Sequence, residues 1–115
     1  METLIIIAAA ALFLIWRFKP VKGIQSITTE QLKGMLGSKD VSFIDVRTPA
    51  EFKSSHIRQF DNIPLGSDLS RLPRDKEVVV ICQSGMRSSQ ACKQLKKLGY
   101  EKITNVRGGM SAWRG

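Results

Sequence analysis

A cysteine in this sequence stands between a run of β-branched residues, 78–81, and a stretch with helical spacing, 88–98. The loop that joins them reads Cys82-Gln83-Ser84-Gly85-Met86-Arg87. The thiolate form of cysteine is the nucleophile, and a helix N-terminus together with a nearby cation such as Arg87 lowers the pKa of a thiol. Unpaired backbone N–H groups in such a loop also bind anions. The sequence therefore predicts that Cys82 is a nucleophile in an anion-binding loop.

The cysteine and histidine content limits the metal and disulfide chemistry. Cys82 and Cys92 are more than two turns apart if 88–98 is helical, too far for an unstrained disulfide bond. With His56 as the single histidine, the ligands of an ordinary zinc site are missing, and we expect no metal and no other cofactor. Cys92 is either a buried structural thiol or a resolving thiol for Cys82. Two reduced thiols are typical of a cytosolic setting.

Length and charge indicate one basic domain that does not bind nucleic acid. The chain has 115 residues, enough for one compact domain and a tail, and a formal net charge of +8. No run of five or more like charges occurs, and aromatic residues do not alternate with the basic ones. This distribution does not indicate a nucleic-acid partner. It favours small anions or an anionic membrane surface.

The first twenty residues predict a membrane segment. A mostly aliphatic run occupies residues 3–16 and is followed by Arg17 and Lys19. Counted from Met1, with the basic side chains reaching the headgroups, a helix here spans about 27–30 Å, close to the bilayer hydrocarbon core. We expect residues 1–20 to be an uncleaved single-pass anchor in the cell membrane, with the domain on the cytoplasmic side because the basic residues follow the run. A cleaved signal peptide and a soluble core helix are the alternatives.

The rest of the chain alternates strand and helix patterns. Residues 21–26 predict a linker and residues 27–115 a domain, in which Thr28 and Thr48 each begin a capping box. Strand patterns occupy 41–46, 62–65, 77–81 and 103–106, and a helix fragment occupies 110–113. This alternation predicts an α/β fold with a parallel sheet and helices on both faces. Ligands of such sheets bind beyond the carboxyl ends of the strands, where Cys82 stands.

Three other polar groups have two interpretations each. Asp45 and Arg47 are either catalytic groups or a structural ion pair with Glu51 in reach. His56 is either a general base or a hydrogen-bonded structural side chain. Residue type and spacing leave these alternatives open.

Five short motifs together resemble the rhodanese homology domain. In chain order they are Asp45-Val46-Arg47-Thr48-Pro49-x-Glu51-Phe52, His56-Ile57, Asn62-Ile63-Pro64, Cys82-x-x-Gly85-x-Arg87-Ser88 and Gly108-Gly109-Met110-x-x-Trp113. The resemblance implies a rhodanese-like parallel sheet flanked by helices, here preceded by the predicted transmembrane helix. It also implies a single-domain sulfurtransferase whose catalytic Cys82 carries sulfur as a persulfide. The loop residues that it implies for binding are Gln83, Ser84, Gly85, Met86, Arg87 and Ser88.

The predicted reaction moves sulfane sulfur from thiosulfate or a persulfide donor to a thiol, or to cyanide, through a Cys82 persulfide. The expected partners are a small anionic sulfur donor, a thiol acceptor and the membrane. A cysteine phosphatase or arsenate reductase is disfavoured, because those enzymes need five residues between the cysteine and the arginine, and four stand between Cys82 and Arg87. The alternative from another class is a membrane-tethered, non-catalytic binding or regulatory module. A protein-to-protein sulfur relay is an intermediate case.

Overall fold

The computed structural model describes residues 23–115 of this protein. The elements in chain order are β1 (Ile24–Ile27), α1 (Thr29–Met35), β2 (Val41–Asp45), α2 (Pro49–Ser54), β3 (Asp61–Asn62), β4 (Glu77–Ile81), α3 (Met86–Lys97), β5 (Ile103–Val106) and α4 (Gly109–Ala112). The anchor predicted over residues 1–20 lies outside the described residues. Within residues 23–115, none of the helices is long and apolar enough to cross a bilayer.

The strands form one parallel sheet in the order β1-β5-β4-β2-β3. Strand β4 lies at the centre, where it pairs with β2 on one side and with β5 on the other. Its residues from Val78 to Ile81 are fully buried, as expected for a strand in a sheet that is covered on both faces. The predicted parallel α/β sheet is therefore confirmed, and the residue after β4, Cys82, lies at the middle of its carboxyl edge.

Helices cover both faces of this sheet, as the sequence predicts. On one face, α3 buries Ala91, Cys92 and Leu95 against side chains of β2, β4 and β5. On the other face, α1 contributes Leu32 and α4 contributes Met110 to a second apolar cluster. Apolar burial is the dominant favourable term in folding, so the first cluster fixes α3 along its length and with it the helix end beside Cys82.

Both predicted capping boxes are present. The Thr28 hydroxyl accepts from the Gln31 N–H at 3.2 Å, and Gln31 Oε1 accepts from the Thr28 N–H at 2.9 Å. Thr48 and Glu51 make the same reciprocal pair at 3.2 and 3.0 Å. Such pairs satisfy backbone donors that a helix start leaves free. They fix where α1 and α2 begin.

The structure differs from the sequence expectation at the start of the domain. Residues 24–26 belong to β1, not to the linker expected over 21–26, and β1 pairs with β5 from Ile24 opposite Ile103 to Ile27 opposite Val106. The strand has four residues, of which the middle two are exposed and polar, so its pattern is too short for a local signal. Hydrogen bonding to a partner far along the chain makes it a strand.

Two other element boundaries in the structure differ from those that the sequence predicts. Helix α3 begins at Met86, two residues before the expected position 88, because Gly85 takes the N-cap position with φ +104° and no side-chain cap marks the start. The extended segment expected over 62–65 is reduced to β3, whose last residue is Asn62. Pro64 has no N–H to contribute to a sheet ladder.

Truncation of Leu95 tests the packing of α3. Leu95 is fully buried, and Leu95→Ala should lower the free energy of unfolding by about 2–5 kcal/mol, because it removes apolar contacts and leaves a cavity. Leu98, 38% exposed at the end of the same helix, is the matched control, and Leu98→Ala should cost less than about 1 kcal/mol. Urea denaturation measures both. Equal losses would contradict the buried face described above.

Candidate active site

The Cys82 sulfur lies inside the loop between β4 and α3. Its Sγ accepts a hydrogen bond from the Gly85 N–H at 3.0 Å and lies 3.2 Å from the Ser88 hydroxyl oxygen. Both Cys82 and Ser88 are fully buried. The thiol therefore faces the N-terminus of α3, where backbone N–H groups have no partner within the helix.

These contacts change the acidity of the thiol. Burial raises the pKa of Cys82, because burial disfavours the thiolate. Hydrogen bonds from the Ser88 hydroxyl and from the backbone N–H groups of Ser88, Gly85 and Ser84 outweigh this effect and bring the pKa below its ordinary value. At Cys92, burial and, to a smaller extent, the charge of Cys82 raise the pKa to about 12. These contacts favour the thiolate form at Cys82 and the neutral thiol at Cys92.

Cys92 fits the structural interpretation of that residue. It is a free, fully buried cysteine on the apolar face of α3, in the same cluster as Leu95. A thiol with a raised pKa carries little thiolate at neutral pH and is a poor partner for sulfur exchange. The contacts therefore favour a core residue over a resolving thiol.

The loop depends on two glycines with positive φ. Gly85, at φ +104°, occupies the left-handed region while it donates its N–H to Cys82 Sγ. Gly109, at φ +56°, passes so close behind the loop that a Cβ there would collide with the Cys82 carbonyl oxygen and lie 2.9 Å from that of Gln83. Glycine alone combines this backbone conformation with this approach.

Helix α4 holds the loop from behind. The Met110 N–H donates to the Cys82 carbonyl at 2.8 Å, and the Ser111 N–H donates to the Gln83 carbonyl at 2.9 Å. The Ser111 hydroxyl also donates to the Gln83 carbonyl, at 2.8 Å. In a planar trans peptide the C=O and the next N–H point in opposite directions. The Ser84 N–H is therefore turned away from α4 and toward the sulfur.

Arg87 lies beside the exposed residues Gln83 and Met86, which form the solvent-facing mouth of the Cys82 loop, and its guanidinium is paired. Its Nη1 and Nη2 donate to the two carboxylate oxygens of Glu51 at 2.7 and 2.9 Å. Hydrogen bonds from Arg87 and Thr48 lower the pKa of Glu51 to about 2, so the carboxylate stays ionised. The sequence places Glu51 within reach of Asp45 and Arg47. In the structure it binds Arg87 instead, while its Oε1 also accepts from the Thr48 N–H in the capping box of α2.

Asp45 and Arg47 form a buried ion pair, which supports their structural interpretation. Arg47 Nη2 lies 2.8 Å from Asp45 Oδ2, with side chains 3% and 0% exposed. Arg47 also donates to the Ser55 carbonyl at 2.7 Å and to Gln83 Oε1 at 3.4 Å. Buried charges need such partners. The pair connects the end of β2 to the second residue of the Cys82 loop.

His56 lies on the surface at the end of α2. Its Nδ1 is 2.9 Å from the Phe52 carbonyl oxygen, and its ring stacks on the Phe52 ring with centroids 3.9 Å apart. These contacts fit the structural interpretation.

The structure brings the predicted loop residues together but exposes them differently. Gln83 and Ser84 are exposed, and Met86 is 75% exposed. The supporting roles of Glu51, Gly109 and Ser111 are not evident from the sequence pattern. A glycine pair, whose second residue begins the four-residue helix α4, is the one local signal for the last two.

Removal of the Ser88 hydroxyl tests the acidity of Cys82. Ser88→Ala should raise the pKa of Cys82, because the largest lowering contribution is lost while burial remains. The pH profile of iodoacetamide alkylation at Cys82, followed by mass spectrometry, should shift to higher pH, since the thiolate is the reacting form. Ser89→Ala, one residue further along α3, is the matched control and should leave the profile in place. Equal shifts in both variants would contradict this prediction.

Gly109→Ala tests the support from α4. The Cβ would push α4 and the loop apart. We therefore expect the free energy of unfolding, measured by urea denaturation, to fall by about 1–3 kcal/mol and the alkylation of Cys82 to become slower. Gly34 in α1 is the control, because a Cβ added there would meet no heavy atom within 4 Å. Gly34→Ala should be stabilising by about 0.5–1 kcal/mol. A Gly109→Ala protein with unchanged stability and reactivity would contradict the close approach.

Comparisons with known proteins identify relatives of most of the described domain. The family described as rhodanese-like domain matches residues 28–115. A sulfurtransferase of Allochromatium vinosum is 38% identical over 94 residues, which cover 78% of this chain and 88% of that protein. The putative sulfurtransferase YtwF of Bacillus subtilis is 41% identical over 96 residues, 80% of this chain and 92% of that protein. A rhodanese-like domain protein of Staphylococcus aureus superposes with TM-score 0.71 at 34% identity, over 78% and 91% of the two chains.

Proposed function

The chain belongs to the family of rhodanese-like domains, and we propose that it transfers sulfane sulfur through a persulfide on Cys82. The observation that carries the proposal is a buried sulfur whose pKa is lowered by converging hydrogen bonds. A thiolate held by N–H donors is nucleophilic, and the same donors stabilise the negative sulfur of a persulfide formed there. One relative named as a sulfurtransferase and one named as a putative sulfurtransferase support this chemistry.

The reaction has two displacement steps. The Cys82 thiolate attacks the outer sulfur of a donor, the donor's bond to that sulfur breaks, and the electron pair leaves with sulfite or a thiolate. An acceptor thiolate, or cyanide, then attacks the outer sulfur of the Cys82 persulfide and returns the Cys82 thiolate. No net oxidant or reductant is required. The acceptor is a thiol on a small molecule or on a protein.

The loop residues have distinct proposed roles. The N–H groups of Ser84 and Gly85 and the Ser88 hydroxyl bind the negative sulfur, as they bind Cys82 Sγ in this structure. Gln83 and Met86 are exposed at the mouth and offer a polar and an apolar contact to donor and acceptor. Solvent does not reach the Cys82 side chain here, so access requires a movement at the mouth, which surface side chains make in picoseconds to nanoseconds.

We also propose that residues 1–20 tether the domain to the cytoplasmic face of the cell membrane. The aliphatic run over 3–16 and the basic residues that follow it support this placement. The tether would hold the domain at the bilayer while the Cys82 loop exchanges sulfur with water-soluble donors and acceptors.

Intact mass measurement of the full chain in detergent tests the proposed function. Incubation with thiosulfate or with glutathione persulfide should add one sulfur atom to the protein, and cyanide or a thiol should remove it. Cys82→Ser should gain no sulfur. Cys92→Ser is the matched control and should gain sulfur as the wild type does, because its thiol is inert. No gain with either donor would contradict the sulfurtransferase proposal and favour the non-catalytic binding module.

A further inference from the structure

Two guanidinium groups lie beside the Cys82 loop, and each of them is paired with a carboxylate. Both terminal nitrogens of Arg87 bind the Glu51 carboxylate at 2.7 and 2.9 Å. Arg47, which reaches Gln83, is bound by Asp45. A carboxylate therefore matches the charge of each guanidinium, and the second loop residue, Gln83, is uncharged.

Glu51 is a fixed partner for Arg87. Its Oε1 accepts hydrogen bonds from the Thr48 N–H and hydroxyl, both at 3.0 Å, in addition to the bond from Arg87. The low pKa of Glu51 keeps the carboxylate charged at neutral pH. Because this oxygen also caps α2, the carboxylate stays where it compensates Arg87.

The charge that a donor brings to these two balanced ion pairs depends on the class of the donor. Thiosulfate is a dianion. When the Cys82 thiolate attacks it, three negative charges come together in the site, and sulfite then leaves with two of them. A thiol persulfide brings at most one negative charge at its reacting sulfur, and none in the protonated form that the thiolate attacks. Like charges in a partly buried site repel one another strongly, and a neighbouring cation offsets that repulsion only to the extent that its charge is not already balanced.

We propose that Glu51 is a specificity-determining residue, which neutralises Arg87 and thereby directs the Cys82 site toward thiol persulfides and away from thiosulfate. The inference rests on the proposed function. In the favoured step, the Cys82 thiolate attacks the outer sulfur of R–S–SH and the donor's S–S bond breaks. The electron pair leaves on R–S⁻, and the proton passes from the transferred sulfur to that thiolate, which gives R–SH and the Cys82 persulfide anion.

Glu51→Gln is the decisive variant, because this chain already shows that glutamine serves in the same position. Gln31 completes the capping box of α1 with Thr28 as Glu51 completes that of α2 with Thr48. The change therefore keeps the cap and removes the charge. In the full chain, kcat/KM for thiosulfate should rise about tenfold, equivalent to about 1.4 kcal/mol. With glutathione persulfide, kcat/KM should change less than about threefold.

Variants of Arg87, the ion-pair partner of Glu51, change the charge beside the Cys82 loop in the opposite direction. Arg87→Gln leaves the Glu51 carboxylate unbalanced, so kcat/KM should fall more for thiosulfate than for glutathione persulfide. The double variant Glu51→Gln/Arg87→Gln is neutral again and should return the ratio of the two values to that of the wild type. Thr48→Ala is the structural control: it removes a contact of Glu51, leaves the ion pair, and should leave the ratio unchanged.

The results separate this inference from the proposed function. If wild type and Glu51→Gln both form the Cys82 persulfide but share one donor ratio, Glu51 does not set specificity and the inference is overturned. A parallel loss with both donors in Glu51→Gln would overturn it too, by showing a purely structural role. If Glu51→Gln does not fold, Arg87→Gln decides, because an equal fall for both donors contradicts the inference. Failure of the wild type to form a persulfide with either donor would instead overturn the proposed function.

Discussion

The hydrogen bonds that converge on the Cys82 sulfur are the interaction on which the rest of the structure depends. Burial by itself raises the pKa of that thiol, and only donors within bonding distance of the sulfur reverse the effect. Backbone N–H groups point inward only where the chain turns sharply, which Gly85 allows with its positive φ. The donors also have to stay in place, because a site that reorganises during reaction loses part of its electrostatic advantage. Packing of β4 and α3 provides that stability at both ends of the loop.

The loop is held from three directions by elements distant in sequence. Helix α4 binds its carbonyl groups through Met110 and Ser111, from behind. The buried pair at the end of β2 reaches Gln83, and α2 reaches Arg87 through Glu51. Each contact also has a local function, as a helix start, a strand end or a helix cap. The same residues therefore serve folding and the site, so substitutions around the loop are expected to affect stability and reactivity together.

Local patterns predict the parts of this fold whose signals are local. The β-branched run of β4, the cysteine after it, the helical spacing of α3 and the two capping boxes are all contained in short windows, and the structure has each of them. Local patterns do not predict strand β1, because its four residues form a strand only by pairing with β5, about eighty residues along the chain. Local patterns do not predict the ion pair of Glu51 and Arg87 either, because the two residues are far apart in the sequence. Motif resemblance selects candidate residues, whereas the pairing between them requires the three-dimensional arrangement.

All strands of a parallel sheet run in one direction, so the edge where the described chain enters the sheet is opposite the edge where Cys82 lies. Every strand starts at one edge and ends at the other, so Gly23, where the described chain begins, and Cys82 lie at opposite edges. The separation is at least the length of a five-residue strand, about 17 Å. A tether through the residues before Gly23 would join the domain at the edge far from the sulfur. With the proposed tether at residues 1–20, the Cys82 loop would lie at the edge of the sheet away from the membrane, accessible to molecules in solution.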